Sequence, residues 1–253
     1  MNKYYVIVPL ILTGFLTTSD HHKVAYRHYE SGHDKVVIIA HGFYNSKDAV
    51  QLRQLADELT AEYDVFMFDF RGHGESSGYY TWTSTEGRDL KAVLDHIEGK
   101  YKKTGMIAFS FGANVAINNL ASDKRVDSLV SVSAATDPGK IDYKFWNLDF
   151  KDDLIYTLFT VEGWKGRGFW TGPFWLKKEK PIDNIDKLEI PVLFIHGEKD
   201  WVISPWHSKA LYDRTRSQKK LVMIKNGPHA EYILRDSRDE FLREVKEWFR
   251  STL

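Results

Sequence analysis

Short apolar, β-branched runs alternate along this chain with longer segments whose apolar residues recur every three or four positions. That alternation restricts the fold more than any other feature of the sequence. Val36 to Ala40 is apolar throughout, as are Val65 to Phe68 and Leu221 to Ile224, and Leu129 to Val132 is apolar but for Ser131. A strand with no polar side must be covered on both faces, which is the condition of a parallel sheet between two helix layers. Val24 to Tyr29, Met106 to Phe109 and Pro191 to Ile195 read as further strands. Between them, Val50 to Tyr63 carries the stripe Leu52, Leu55, Ala56 and Leu59, and Thr85 to Lys100 carries Leu90, Val93, Leu94 and Ile97. Gly112 to Ala121 and Ser237 to Leu253 read as helices, the last opened by a capping box, Ser237 with Glu240. The expected class is α/β, a doubly wound, mostly parallel sheet in a single domain spanning residues 1–253.

Charge and composition narrow the function. Lys plus Arg number 35 and Asp plus Glu 35, so the chain lacks the basic excess of a nucleic-acid binder. It has no cysteine, so thiolate nucleophiles and Cys-based metal sites are excluded, and covalent chemistry must run through oxygen or nitrogen. Lys3 followed by Tyr4 to Leu12 resembles a short signal core, with Thr17, Thr18 and Ser19 as a weak cleavage end. Pro9 and Gly14 interrupt it, and it falls short of the roughly 20 apolar residues that cross a bilayer. The run therefore reads as a structural leader packed on a cytoplasmic domain, with secretion or membrane association as the alternative. Asp20, His21 and His22 invite a metal reading, but adjacent residues of an extended chain face opposite ways, so solvated polar residues are expected there.

One stretch breaks the alternation. From Phe145 to Trp175, ten of 31 positions are aromatic, with Gly163, Gly166, Gly168, Gly172 and Pro173 interspersed. A long insertion in a compact α/β domain is usually functional, and residues 137–188 are expected to form a small cap or lid. Its Trp146, Trp164, Trp170 and Trp175 are candidates for an apolar substrate wall, to which Trp201 and Trp206 would add.

Ala108-Phe109-Ser110-Phe111-Gly112 falls where a strand meets a helix, the setting of a nucleophile elbow with small residues on either side of the serine. His41-Gly42-Phe43 follows the first buried strand, and Asp69-Phe70-Arg71-Gly72-His73-Gly74 follows the next. His196-Gly197-Glu198-Lys199-Asp200 and Gly227-Pro228-His229 come after the last two. With these landmarks in order from Val24 to Leu253, the chain resembles the α/β-hydrolase superfamily, in its serine esterase and serine-peptidase-like branch with an inserted cap. Ala108 stands where the family usually has glycine.

The resemblance implies Ser110 as nucleophile, His229 as general base and Asp200 as the acid that orients it, with Asp137 the alternative acid. It implies an oxyanion hole from the backbone N–H groups of Phe43 and Phe111, and no metal or cofactor. His41 would shape the oxyanion loop, and the Asp69–His73 turn would be structural. The expected reaction is hydrolysis of small to medium carboxylic esters with apolar acyl or aryl groups, through an acyl-enzyme. An aminopeptidase using Asp149, Asp152, Asp153 and Glu162 to hold a substrate amine, and a non-catalytic ligand-binding relative, are the other readings.

Overall fold

The computed structural model describes residues 8–140, 170–173 and 175–253. Among the described residues, eight strands form one sheet in the order β1-β2-β4-β3-β5-β6-β7-β8. They are β1 (Leu10–Thr17), β2 (Lys23–Glu30), β3 (Lys35–Ala40), β4 (Asp64–Phe68), β5 (Lys103–Phe109), β6 (Ser128–Val132), β7 (Val192–Gly197) and β8 (Lys219–Ile224). β1 pairs antiparallel with β2, and β2 with β4; every other pairing is parallel.

Strand residues divide by parity between two cores. Val36, Ile38, Phe66, Phe68, Met106 and Phe194 face the layer of α2 (Gly87–Ile97), α3 (Phe111–Leu120) and α4 (Trp206–Arg214). Val37, Ile39, Val65, Met67, Ile107 and Ile195 face α1 (Val50–Leu59), the single turn α5 (Ile233–Asp236) and α6 (Arg238–Thr252). Continuous apolar runs follow from this division, since each side chain leaving water contributes about 1.5–3 kcal/mol on whichever face it points to.

Three elements differ in detail from the sequence reading. The run Leu10–Thr17 packs on the domain as expected of a structural leader, but does so as an edge strand registered on β2 along its length. Ser237 makes no side-chain cap; its N–H donates to Ile233 O at 2.8 Å, so it closes α5 and only its carbonyl serves α6. And α4 lacks any reading in the sequence, because the residues it buries include His207 and Ser208 and leave no apolar stripe. Among the described residues no helix is long and apolar enough to cross a membrane.

Asp20 is also more than solvated. Its carboxylate accepts from Arg71 Nη1 at 2.7 Å and Nη2 at 3.0 Å and from Arg88 Nη1 at 2.7 Å, tying the β1–β2 turn to the loop after β4. Arg71 in turn donates to the buried Asp89. Hydrogen bonds from Arg71 foremost hold the Asp20 carboxyl far below its ordinary 3.8. A depressed acid contributes stability that is complete above its unfolded value and is lost as pH falls below it toward the folded value. Asp20→Asn should therefore lower Tm at pH 7 by roughly 2–4 °C, the equivalent of ~1 kcal/mol at this size. The gap from wild type should close in melts run well below pH 3.8. A gap that stays constant across that range would show that the ion pair does not stabilise the turn.

Candidate active site

Ser110 separates β5 from α3 and holds φ 46° and ψ −111°, a conformation that L-residues avoid. Its N–H donates to Val132 O at 2.7 Å and its carbonyl accepts from Asn114 N at 3.1 Å, so both neighbouring elements impose the turn. The chain passes so close to β3 that a Cβ on Gly112 would lie 2.5 Å from His41 O. Ala108 is fully buried and pairs with Ala40 on one side and Ser131 on the other, where a methyl group fits in place of glycine.

The loops after β7 and β8 complete a hydrogen-bonded chain. His229 Nε2 accepts from Ser110 Oγ at 2.9 Å, and His229 Nδ1 donates to Asp200 Oδ2 at 2.7 Å. These two loops nearly touch: a Cβ on Gly197 would meet Gly227 O and Pro228 O at 2.2 Å, so only glycine lets them close. Asp200 Oδ1 accepts from Val202 and Ile203 N–H at 2.9 and 2.8 Å. Its Oδ2 also faces Nε2 of the fully buried His196 at 3.1 Å, whose Nδ1 accepts from Ser208 Oγ at 2.6 Å. Burial alone would raise the Asp200 carboxyl, but the two histidines outweigh it and hold it well below the usual range. The arrangement can draw a proton from Ser110 into an imidazole whose cation is neutralised from behind. Asp137 is elsewhere, bonded to Lys180 Nζ at 2.9 Å and to Gly139 N–H.

Phe111 is the first residue of α3, where backbone N–H groups have no partner within the helix. The Phe43 ring lies tilted against Tyr80 at 4.9 Å and Trp82 at 5.6 Å, and Tyr80 lies 4.9 Å from Phe111. An aromatic wall thus joins the two residues expected to supply the oxyanion donors. Trp82 and Thr83 have positive φ, and Trp82 Nε1 donates to Pro138 O. His41 donates from Nδ1 to Gly42 O and accepts the Phe70 N–H on Nε2. Burial, with His73 beside it, pushes His41 well below the ordinary histidine value, and burial takes His73 to about 4. Both are neutral scaffold residues at pH 7. The Asp69 carboxylate likewise braces its turn, accepting from Lys47 N–H, Lys47 Nζ and Glu75 N–H.

Trp146 and Trp164 lie outside the described residues, as do Asp149, Asp152, Asp153 and Glu162 and most of the 137–188 insertion. Trp170 and Trp175 are 65% and 76% exposed. Trp170 reaches this region through its backbone, accepting from Tyr80 N–H at 2.7 Å and donating to Gly72 O at 2.9 Å. Trp206 is half exposed and stacks on His207 at 3.7 Å.

Several residues of the site escaped the sequence reading. Ser133 Oγ accepts from Ala230 N–H at 3.1 Å, directly after His229, and Glu231 accepts from Gly42 N–H. The spacing His229-Ala230-Glu231 was the only available signal, and a lone glutamate in a loop carries little information.

Known proteins agree with this architecture. A family model described as alpha/beta hydrolase fold matches residues 35–167, and one described as serine aminopeptidase, S33, matches residues 179–236. The uncharacterized protein YqkD of Bacillus subtilis is 27% identical over 235 residues, covering 84% of this chain and 70% of that protein. The alpha/beta hydrolase domain-containing protein WAV2 of Arabidopsis thaliana is 26% identical over 66% of this chain, and the chain spans about half of it, 54%. Among solved structures, the Pyrococcus furiosus esterase Pf2001 superposes with TM-score 0.73 at 24% identity, covering 99% of this chain and 97% of that one. DcsB, solved with a substrate analogue, gives TM-score 0.82 at 17% identity over 96% of this chain and 100% of its own. At those identities the structures speak for the fold alone. The match over residues 35–167 takes in more than half of the sequence, including the elbow serine and the strands around it, and on that ground the chain belongs to the alpha/beta hydrolase fold family.

Proposed function

We propose that this protein is a serine hydrolase that cleaves carboxylic esters of small to medium size, with apolar acyl or aryl groups, through an acyl-enzyme. The observation that carries the reading is the chain Ser110–His229–Asp200 on a strained elbow. Ser110 Oγ attacks the carbonyl carbon while its proton passes to His229 Nε2. The carbonyl oxygen takes up the negative charge and is held by the Phe43 and Phe111 N–H groups. As the tetrahedral intermediate collapses, the proton moves from His229 to the departing alcohol, leaving the acyl group on Ser110. Water, deprotonated by the same imidazole, then releases the acid and restores the serine. Asp200 keeps the Nδ1 proton in place and offsets the imidazolium charge.

Residues 137–188 act in this reading as a cap whose Trp146, Trp164, Trp170 and Trp175 contact the acyl or aryl group, with Phe43, Tyr80 and Trp82 supplying further apolar surface. Trp164→Ala or Trp170→Ala should lower kcat/KM on an octanoate ester by about tenfold, the worth of ~1.4 kcal/mol of apolar contact, and change an acetate ester little. Equal losses on both esters with a lowered Tm would place these rings in the core instead. The serine aminopeptidase match over residues 179–236 favours a second reading, amide hydrolysis. A panel of p-nitrophenyl esters of rising chain length beside aminoacyl anilides separates the two. Turnover of the esters alone supports the proposal, and preference for the anilides overturns it.

A further inference from the structure

Between His229 and α5 lies a short turn, Ala230–Tyr232, whose middle residue is buried against a different loop. Glu231 is 8% exposed, and its Oε1 accepts the N–H of Gly42, 189 residues away in sequence. The Asn45 side chain is near enough to act on the same carboxyl, drawing it toward its ionised form. Asn45 is itself fixed, because its Oδ1 accepts the Ser46 N–H at 3.0 Å. One buried carboxylate therefore meets the loop on both sides of Phe43, the residue whose N–H is assigned to the oxyanion.

The turn itself is braced. Ala230 adopts φ 44°, and its N–H donates to Ser133 Oγ on the strand end beside the elbow. Glu231 is thus clamped to the segment that carries His229, and through Gly42 it clamps the oxyanion loop to that same segment. We propose that Glu231 is a positioning residue that holds the Phe43 N–H at the height of the oxyanion by fixing Gly42 and Asn45. This rests on the hydrolase reading above and deepens it.

The chemistry supports a functional reason for placing a carboxylate there. Burial pushes the Glu231 carboxyl above its ordinary value, while the Gly42 N–H, the turn's own N–H, the His229 charge and Asn45 draw it back. A buried acid is a costly way to satisfy a donor that water could reach if the loop were open. What it supplies is rigidity: one planar group ties Gly42, the residue directly before Phe43, to the turn that carries His229. A donor misplaced by a fraction of an ångström loses most of its worth, and removing one such donor elsewhere costs on the order of 10²–10³ in kcat.

Glu231→Ala should lower kcat on p-nitrophenyl esters by about 100-fold per active site, counted by fluorophosphonate labelling, with KM changed less than about threefold. Glu231→Gln keeps an acceptor for Gly42 but presents an amide to Asn45, so it should recover part of the loss. Asn45→Ala, which cuts one tether at a half-buried position, should fall between Gln and wild type. A trifluoromethyl ketone gives the discriminating readout. Ser110 Oγ adds to its carbonyl carbon, the proton goes to His229, and the ketone oxygen becomes the bound oxyanion. Its Ki should rise in proportion to the loss of kcat/KM across the three variants. If Glu231→Ala does not fold, the Gln and Asn45 variants must still show this proportion. Wild-type kcat per labelled site, or lost kcat with an unchanged Ki, overturns the proposal. The two readings fail differently. If Ser110→Ala still turns over the esters, both fall; if wild type acts through Ser110 and the Glu231 variants match it, only the positioning role falls.

Discussion

Ser110→Ala should take kcat on p-nitrophenyl acetate down by about six orders of magnitude, into the solution background, and abolish fluorophosphonate labelling. The size follows from what is removed: without Oγ there is no covalent intermediate, and His229 loses the group it deprotonates at 2.9 Å. The fold should be untouched, because the φ of 46° is imposed by the hydrogen bonds to Val132 and from Asn114, and alanine keeps both. Ser110→Ala/His229→Ala should be no slower than the single variant, since residues that act as a unit are not additive. Circular dichroism and Tm alongside the rate distinguish this outcome from unfolding. A label that survives in Ser110→Ala would mean that another nucleophile carries the reaction.

Asp200→Asn has the second-largest expected effect, a loss of roughly four orders of magnitude in kcat. The side-chain oxygen that accepts from Val202 and Ile203 N–H is retained in asparagine, so the loop holds its shape. The other oxygen, 2.7 Å from His229 Nδ1, is replaced by an amide that donates. The imidazole must then present its lone pair to residue 200 and its N–H to Ser110, the tautomer that cannot take the serine proton. In the wild type the histidines around it keep Asp200 ionised far into acid, so the acid limb of kcat/KM belongs to protonation of the imidazole and activity should rise with pH. Asp137→Asn should cost little, because that carboxylate is bonded to Lys180 and the Gly139 N–H. If Asp137→Asn were the crippled variant and Asp200→Asn the active one, the acid would be misassigned.

What could be read from the sequence was decided by whether a residue's neighbours in space were also its neighbours in the chain. The elbow was legible because its steric conditions are local: a strand, small residues at Ala108 and Gly112, and a helix. The core strands were legible because burial on both faces writes itself as an unbroken apolar run. The edge strand β1 was not, since six of its eight residues are exposed, none is buried, and its composition imitates a leader. The helix α4 escaped for the opposite reason, burying His207 and Ser208 where periodicity looks for leucine. Charges were the least legible. Asp20, Asp69, Asp89 and Glu231 look alike in a list of acids, yet one staples a hairpin, two brace a loop, and the last faces Gly42 across the fold. Their partners are set only by tertiary structure, and so are their roles.

The central claim is that an acyl group passes through Ser110. The most direct measurement is the intact mass of the protein after acid quench during turnover of a slow p-nitrophenyl ester, followed by peptide mapping. The expected gain is the mass of one acyl group, on the peptide that contains Ser110 and absent in Ser110→Ala. Full turnover with no trapped acyl group under burst conditions, or an acyl group on any other residue, would contradict it.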